Sequence, residues 1–411
     1  MTQFHFRNLK LLDPRWDEAR ASYEVLVEGD KIREVSEKPI KASNAVTLDC
    51  GGRTLMPGLI DCHAPIYLCE LSMAKLESMP LTLLTAKAVG ALKAMLDRGF
   101  TTVRDTGGAD WGIKEAVDKG LVPGPRLFIS GRTLSSTGGH GDSRRRTAHQ
   151  DSCHCVNALA FVGEIVDGAD GVRKAAREQM RQGADQIKIM VSGGVASPYD
   201  PLDSLQFSPD EITAAVEEAE NFGRYVLAHA YTPEAITRAV SYGVRTIEHG
   251  NLLDEKTAKL MSERKAMMVA NLIAYYAMKE RGSRLGMSSD QLAKNELVIE
   301  GGLKSLEIAK RAGVPVGFGS DLLGELQNEQ SREFLLRREV LSPIEVIRQA
   351  TMVGAQIVRQ EGKLGIIEPG AFADLILVDG DPLKDFGLFQ DQGAHLSLVM
   401  KAGVLHKNTL N

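Results

Sequence analysis

The chain has 411 residues, which suits a barrel of roughly 250 residues joined to an accessory domain better than one compact core. Hydrophobic residues make up 43% and charged residues 25%, as in a globular enzyme, and no window holds the roughly 18 apolar residues that a membrane span needs. The formal net charge of −5 and the lack of extended basic clusters argue against nucleic acid as a partner.

The cysteine content indicates a reducing cellular compartment. Five cysteines, an odd number in a long chain, predict reduced thiols rather than a disulfide framework. The first residues lack the charged and apolar regions of a signal peptide. We therefore expect a cytoplasmic protein with no membrane partner.

Both ends of the chain have the pattern of short β-strands. Residues 23–28 alternate between polar and apolar, Gly29-Asp30 predicts a turn, and residues 31–35 resume the alternation. Residues 370–382 and 396–405 have the same character near the other end. The two β-rich ends predict one small β-sandwich domain composed of residues 1–56 and 361–411.

Between these ends, β-rich and helical segments alternate through residues 57–360. Eight segments have strand character: the one that ends at Asp61, then residues 101–105, 126–130, 186–191, 225–229, 246–249, 267–270 and 314–318. Helical patterns lie between them, for example at residues 81–98, 210–222 and 302–312. Strands that alternate with helices at this spacing form a parallel sheet, and eight repeats predict a (β/α)8 TIM-like barrel.

Five polar side chains are predicted at one rim of this barrel, where catalytic groups of such folds lie. A single histidine at a strand end is more often structural than a ligand. Five polar residues at the ends of different strands favour a metal or catalytic site instead. These residues are His63, Lys188, His229, His249 and Asp321.

The first strand segment, residues 56–65, reads Met-Pro-Gly-Leu-Ile-Asp-Cys-His-Ala-Pro. It resembles the first barrel strand of the amidohydrolase superfamily, which usually reads P-G-x-I-D-x-H-x-H. The order of the five polar residues resembles the binuclear metal site of that superfamily. The resemblance implies a homo-oligomer with one or two zinc ions per chain, although manganese or cobalt would suit the same donors. The implied ligands are His63, Lys188, His229, His249 and Asp321.

Pro65 stands where the superfamily pattern has its second histidine. Residues two apart on a strand share a face, so two histidines there would reach one ion, and proline cannot replace either. Three outcomes stay open: a binuclear enzyme with one labile ion, a mononuclear enzyme, and a catalytically inactive relative. The other pattern positions are intact, which favours an active hydrolase.

Lys188 lies in an apolar strand segment, where a charged amine is costly unless it is paired. One interpretation is an ion pair with a neighbouring carboxylate. The other is a depressed pKa and a neutral amine that reacts with carbon dioxide to form a carbamate. The resemblance favours the carbamate, whose two oxygens can bridge two metal ions.

The resemblance also implies a mechanism and a substrate. A hydroxide held by the metal attacks an amide carbonyl, and Asp321 carries the proton to the leaving amine. The glycine-rich residues 137–142 and residues 192–198 resemble the imidazolonepropionase-like and prolidase-like branch. There the histidine that matches His140 is a catalytic group that contacts the substrate carbonyl, and the tyrosine that matches Tyr231 contacts the substrate carboxylate. The alternatives are that His140 stiffens its loop and that Tyr231 only packs.

The expected activity is therefore metal-dependent hydrolysis of a small-molecule amide, such as an N-acyl amino acid or an Xaa-Pro-like dipeptide. Carbamates, ureas and other xenobiotic amides are the alternative substrates. A non-catalytic ligand-binding protein is the alternative of another class. Cys153-His154-Cys155 lacks a second cysteine or histidine pair nearby, so we expect no structural zinc there.

Overall fold

A computed structural model describes residues 2–144, 162–197 and 199–410. Strands from both ends of the chain form one eight-stranded sheet, in which β5 (Thr54–Pro57) pairs antiparallel with β16 (Leu375–Val378) and parallel with β1 (Gln3–Leu11). This arrangement agrees with the predicted β-sandwich of both termini, while the domain boundaries at residues 57 and 361 stay a prediction. The strands of this terminal sheet are β1 (Gln3–Leu11), β2 (Arg20–Glu28), β3 (Lys31–Ser36), β4 (Val46–Asp49), β5 (Thr54–Pro57), β16 (Leu375–Val378), β17 (Leu396–Lys401) and β18 (Val404–Asn408).

Eight parallel strands form the barrel, one in each segment that the sequence predicted. The ring closes between its last and first strands, where the Cys62 N–H donates to the Phe318 carbonyl at 2.8 Å. Two further short strands, β9 (Thr133–Ser135) and β10 (Gly163–Ile165), extend the sheet beside β11. The barrel strands are β6 (Leu59–Asp61), β7 (Phe100–Arg104), β8 (Arg126–Phe128), β11 (Ile187–Met190), β12 (Val226–Ala230), β13 (Thr246–His249), β14 (Met267–Ala270) and β15 (Val316–Phe318).

Helices surround the barrel, and the largest apolar core lies between them and the strands. Within the described residues, none of these helices is long and apolar enough to span a membrane. The α-helices are α1 (Met73–Glu77), α2 (Leu81–Asp97), α3 (Trp111–Asp118), α4 (Ala169–Arg181), α5 (Pro209–Asn221), α6 (Pro233–Ser241), α7 (Glu255–Glu263), α8 (Leu272–Arg281), α9 (Ser289–Ala312), α10 (Arg332–Arg337), α11 (Pro343–Gln349) and α12 (Met352–Ile357). Short 3₁₀ helices cover Gly324–Glu329, Phe386–Phe389 and Asp391–Gly393.

Helix α9 begins well before the pattern at residues 302–312 indicates. Ser288 caps it with a capping box, so the helix runs from Ser289 through a Gly301-Gly302 pair in its interior. Glycine is unfavourable inside a helix, which hides the continuity from the sequence. The pair lets α9 approach the loop after β13 closely, because a Cβ at Gly301 would lie 2.3 Å from the Asn251 carbonyl oxygen.

We expect Gly301→Ala to destabilise the protein although alanine favours helices. The new methyl meets backbone that cannot rotate away, and such overpacking typically costs about 1–3 kcal/mol. Gly90→Ala is the matched control. Gly90 lies in the middle of α2 on its solvent-exposed side, and a Cβ there meets nothing within 4 Å. Thermal unfolding at one scan rate should show a lower Tm for Gly301→Ala and a higher one for Gly90→Ala. Equal increases in Tm for the two variants would show that the close contact between Gly301 and the Asn251 carbonyl does not constrain α9.

Candidate active site

The five residues predicted at the rim do converge at the carboxyl ends of the barrel strands. The His63 Nε2 lies 3.1 Å from the Asp321 Oδ1, and the His229 Nδ1 lies 2.8 Å from the His249 Nε2. One ligand atom each from His63, His249 and Asp321 lies within 4.8 Å of the others. Asp321 has the most accessible side chain of this trio, at 21%, against 4% for His63 and 3% for His249.

This donor set fits a divalent metal ion. Two imidazole nitrogens bound to one tetrahedral zinc ion at 2.0–2.1 Å lie about 3.3 Å apart. The facing nitrogens of His229 and His249 are 2.8 Å apart, so a shift of about half an ångström suffices for both to bind one ion. Neutral imidazole is the form that binds metal, and burial lowers the pKa of both histidines well below the usual value.

Two of these residues have a left-handed backbone, which is uncommon outside glycine. The φ of His249 is 75° and that of Asp321 is 50°. Such a conformation costs about 1–3 kcal/mol and persists only where surrounding contacts enforce it. The Asp321 N–H donates to the His63 carbonyl at 2.8 Å, which fixes the bend after β15 against the first strand. The strained positions therefore coincide with the ends of the strands that carry the site.

Lys188 is buried at the centre of the site on β11. No carboxylate among the described residues forms an ion pair with it, which disfavours the paired interpretation. Burial lowers its pKa to about 8, although the charges of Glu248 and Asp321 act in the opposite direction. About one amine in eleven is then neutral at pH 7, far more than at the usual pKa of a lysine.

His140 lies beside the histidine cluster. Its ring stacks on His229 with centroids 4.3 Å apart, and its Nδ1 lies 3.1 Å from the Asp200 Oδ2. The ring also packs closely on Gly194, where a Cβ would come within 2.2 Å of it. Burial would raise the pKa of Asp200, but its bond to His140 and the charge of that ring outweigh burial and hold the pKa at about 2. An ionised carboxylate therefore orients His140.

Tyr231 also lies in the site, stacked on His249 with centroids 4.8 Å apart. Its hydroxyl lies 2.8 Å from the Tyr275 hydroxyl, which in turn lies 2.8 Å from the His249 Nδ1. The Asn271 Oδ1 is 3.0 Å from the same nitrogen. An Nδ1–H that donates to Asn271 leaves the His249 Nε2 unprotonated on the side of His229.

The sequence did not reveal Glu248, which lies inside the barrel with no exposed surface. Its Oε2 is 2.8 Å from the His63 Nδ1, and the Arg104 Nη2 donates to both of its oxygens at 2.7 Å. Burial would raise the pKa of Glu248, but the charge of Arg104 and the bond to His63 hold it at about 2. Strand alternation conceals this residue, since the neighbours Glu248 and His249 should face opposite sides of β13.

Several other site residues also escaped the sequence patterns. Asp200 and Asn271 lie in or next to loops, and Tyr275 projects from the first turns of α8. An arginine in the predicted strand 101–105 and a glutamate in the predicted strand 246–249 were the available signals for the buried pair. Cys153-His154-Cys155 and Pro198 lie outside the described residues.

We expect Lys188→Met to stabilise the metal-free protein at pH 7. The folded amine loses its proton near pH 8 instead of 10.5, so its burial costs about 3 kcal/mol below pH 8. This cost disappears as the pH rises from 8 to 10.5, because the amine is then neutral in both states. The stability difference between variant and wild type, measured by urea unfolding, should therefore be largest at pH 7 and shrink by pH 10.

The matched control for this prediction is Lys259→Met, because the side chain of Lys259 is 79% exposed. It should change the free energy of unfolding little at either pH. A Lys188→Met difference that stays constant with pH would contradict a depressed lysine pKa.

The comparisons with known proteins agree with this geometry. The amidohydrolase family model matches residues 54–405. The ochratoxinase of Aspergillus niger is 32% identical over 367 residues, which cover 86% of this chain and 75% of that protein. A crystal structure of an amidohydrolase is 52% identical with a TM-score of 0.97, and each chain is covered over 100% of its length.

A second solved structure carries a ligand. It is a prolidase in complex with N-methylphosphonate-L-proline, 47% identical, with a TM-score of 0.96 over 99% of this chain and 100% of that one. The resemblance inferred from residues 56–65 and the order of the rim residues is confirmed at the level of the family. With a family match across most of its length, a barrel of eight parallel strands and a His–His–Asp cluster at the rim, the chain belongs to the amidohydrolase family.

Proposed function

We propose that this chain hydrolyses an amide bond whose amine side is an amino acid, with Xaa-Pro dipeptides and N-acyl amino acids as its substrates. The similarity to the prolidase that binds N-methylphosphonate-L-proline carries this proposal. The tetrahedral phosphorus of that ligand stands in for the planar carbonyl carbon of an acyl-proline. The ligand therefore resembles the adduct that forms when water attacks the amide, and transition-state analogues bind tightly to the enzymes that form such adducts.

The proposal includes a divalent metal centre. The geometry supports His63 and Asp321 as holders of one ion and His229 and His249 as holders of the other. A carbamate on Lys188, formed with carbon dioxide, would add oxygen donors between them. Zinc suits this set, and manganese or cobalt could replace it. Metal bound there would acidify a water molecule and polarise the scissile carbonyl.

Asp321 is proposed as the proton carrier. Its Oδ1 faces His63, its Oδ2 lies 3.8 Å from the His249 Nδ1, and its side chain is partly exposed. It can therefore accept a proton from the attacking water and donate it to the nitrogen of the leaving amine. A carboxylate without access to the pocket could not make the second transfer.

His140 and Tyr231 are proposed to orient the substrate. With its Nδ1–H on Asp200, His140 presents Nε2, which donates to the carbonyl oxygen when the ring is protonated. The linked hydroxyls of Tyr231 and Tyr275 can present one O–H to the substrate carboxylate. Both residues touch the histidines of the cluster, so their predicted roles are compatible with the geometry.

Pro65 makes the two proposed metal sites unequal. The end of β6 would offer one ion a single imidazole, that of His63, whereas β12 and β13 would offer the other ion two, those of His229 and His249. We propose an active hydrolase in which the first ion is the more labile one. A homo-oligomeric, cytoplasmic protein without nucleic-acid or membrane partners stays a prediction from the sequence.

A second substrate class has support of its own. The 32% identity to ochratoxinase favours amides outside peptide metabolism as an alternative. The relatives are hydrolases that act on C–N bonds, which argues against a non-catalytic binding protein. Substrate screening separates these classes.

Substrate pairs that differ only in the free carboxylate test the proposed function. We expect an Xaa-Pro dipeptide to be cleaved faster than the same dipeptide with a carboxamide terminus. Tyr231→Phe should raise KM for the free acid about tenfold, since a hydrogen bond to a charged group is worth about 1.5 kcal/mol. The carboxamide should change little. Equal effects on both substrates would remove the carboxylate role, and cleavage of neither would refute the substrate class.

Asp321→Asn tests the proton carrier. We expect kcat to fall about 10²–10⁴-fold, because the amide cannot carry the proton, while elemental analysis still finds at least one metal ion. Asp17→Asn is a surface control, since the Asp17 side chain is 83% exposed, and it should retain wild-type kcat. Near-wild-type turnover in Asp321→Asn would assign proton transfer to another residue.

A further inference from the structure

The three histidines of the cluster differ in what holds their second ring nitrogen. The His229 Nε2 lies 3.0 Å from the Gly193 carbonyl oxygen, and the His249 Nδ1 faces the Asn271 amide oxygen. The His63 Nδ1 instead faces the Glu248 carboxylate at 2.8 Å. Among the three, His63 alone has an anion at hydrogen-bond distance from its second nitrogen, since the Asp321 Oδ2 stays 3.8 Å from the His249 Nδ1. An anion raises the basicity of an imidazole more than a neutral carbonyl does.

The contact fixes the tautomer of His63. Arg104 donates to both oxygens of the Glu248 carboxylate, which can therefore only accept from the ring, so the His63 Nδ1 carries a proton. The His63 Nε2 faces the Asp321 Oδ1 at 3.1 Å, on the side of the proposed metal ion, so a metal ion would displace any proton from Nε2 and leave the one on Nδ1. A ring without a proton on Nδ1 would place two lone pairs against each other in the barrel interior.

Arg104 prevents Glu248 from adopting another position. Its Nη2 donates to both carboxylate oxygens at 2.7 Å, and the Thr246 hydroxyl donates to the Oε1 at 2.8 Å. The Arg104 Nε donates to the Cys62 carbonyl at 2.6 Å, directly before His63. One guanidinium thus holds both the backbone that leads to His63 and the carboxylate that orients its ring.

From this geometry we infer that Glu248 is a positioning residue that, locked by Arg104, fixes the orientation and tautomer of His63 for metal binding. Its role follows from Pro65. The first strand offers one imidazole where the family pattern offers two, so the strength of this ion's site depends on a single, well-oriented ring. This inference rests on the metal centre proposed above, and not on the identity of the substrate.

A purely structural role for the Arg104–Glu248 pair makes a different prediction. Helix α10 carries a second buried pair, in which the Arg337 Nε donates to Glu333 at 2.7 Å with both side chains fully buried. Arg337 also donates to the Ala270 and Gly317 carbonyls, and the pair bonds to no histidine among the described residues. Glu333→Gln is therefore a matched control for the loss of charge in a buried ion pair.

The test compares Glu248→Gln, Glu248→Met and Glu333→Gln after metal removal and reloading with zinc. Glutamine keeps the shape and one acceptor of glutamate, whereas methionine removes both acceptors. Competition with chelators of graded affinity gives the dissociation constant of each bound ion. We expect Glu248→Gln to raise the dissociation constant of one ion by about 10–100-fold, and Glu248→Met to raise it further. The dissociation constant of the other ion should change by less than about threefold, as should those of both ions in Glu333→Gln.

Nitrogen NMR of protein labelled at histidine supplies a readout independent of metal and of folding stability. Metal-free wild type should show a proton on the His63 Nδ1, identified by the signal that is lost in His63→Gln. Glu248→Met should leave Nδ1 without a proton and keep the proton on Nε2, where Asp321 still accepts it. If this variant fails to fold, Glu248→Gln with a normal Tm provides the metal-affinity result alone.

The outcomes separate this inference from the proposed function. Weaker binding of one ion in the Glu248 variants, with unchanged binding in Glu333→Gln, supports the inference. This holds also if wild type binds a single ion. An equal loss of metal affinity in Glu333→Gln and Glu248→Gln, or no loss of affinity in either variant, overturns it. Wild type that binds no metal refutes the proposed metal centre, and a His63 Nδ1 without a proton in that protein would overturn the inference.

Discussion

The buried ion pair of Arg104 and Glu248 ties the interior of the barrel together. It connects β7 to β13 and, through the Cys62 carbonyl and the His63 ring, to the end of β6. Two charges with no exposed surface are costly to bury, and removal of one partner typically costs about 3–5 kcal/mol because the other stays unpaired. The pair is therefore better understood as a device for placing side chains than as a source of net stability.

Backbone strain at the rim serves the same placement. Because His249 has a left-handed φ, β13 ends in a turn there, and the side chains of Glu248 and His249 both reach the interior. A regular strand would send one of them toward the helices. The contacts of Asp321 with the His63 carbonyl hold the corresponding bend after β15. The site thus depends on departures from regular strand geometry at the points where the strands end.

These departures from regular strand geometry also explain which parts of the fold and the site could be predicted from the sequence. Strand periodicity predicted the eight barrel strands. The polar residues at the strand ends indicated that His63, Lys188 and Asp321 lie at one rim. Regular alternation would place Glu248 and His249 on opposite faces, and nothing in Thr246–His249 predicts the positive φ that brings both to the interior. The glycine pair of α9 obscured the start of that helix. Asp200 and Tyr275 reach the site from a loop and a helix, where no periodicity relates them to the strands.

The segment after His63 shows how the chain accommodates proline at position 65. The Ala64 N–H donates to the Arg104 carbonyl, and the Ile66 N–H donates to the Asp105 carboxylate at 2.8 Å, so the residues on both sides of Pro65 are held. Proline has no N–H to satisfy, and the fixed backbone around it needs none. Arg104 is the last residue of β7 and Asp105 follows it, so the end of one strand positions the His63 ring, through Glu248, and the backbone beyond it. The chain around Pro65 is therefore held on both sides and the single histidine at the end of the first barrel strand is oriented by a charged pair, as the proposed metal site would require with one imidazole from that strand.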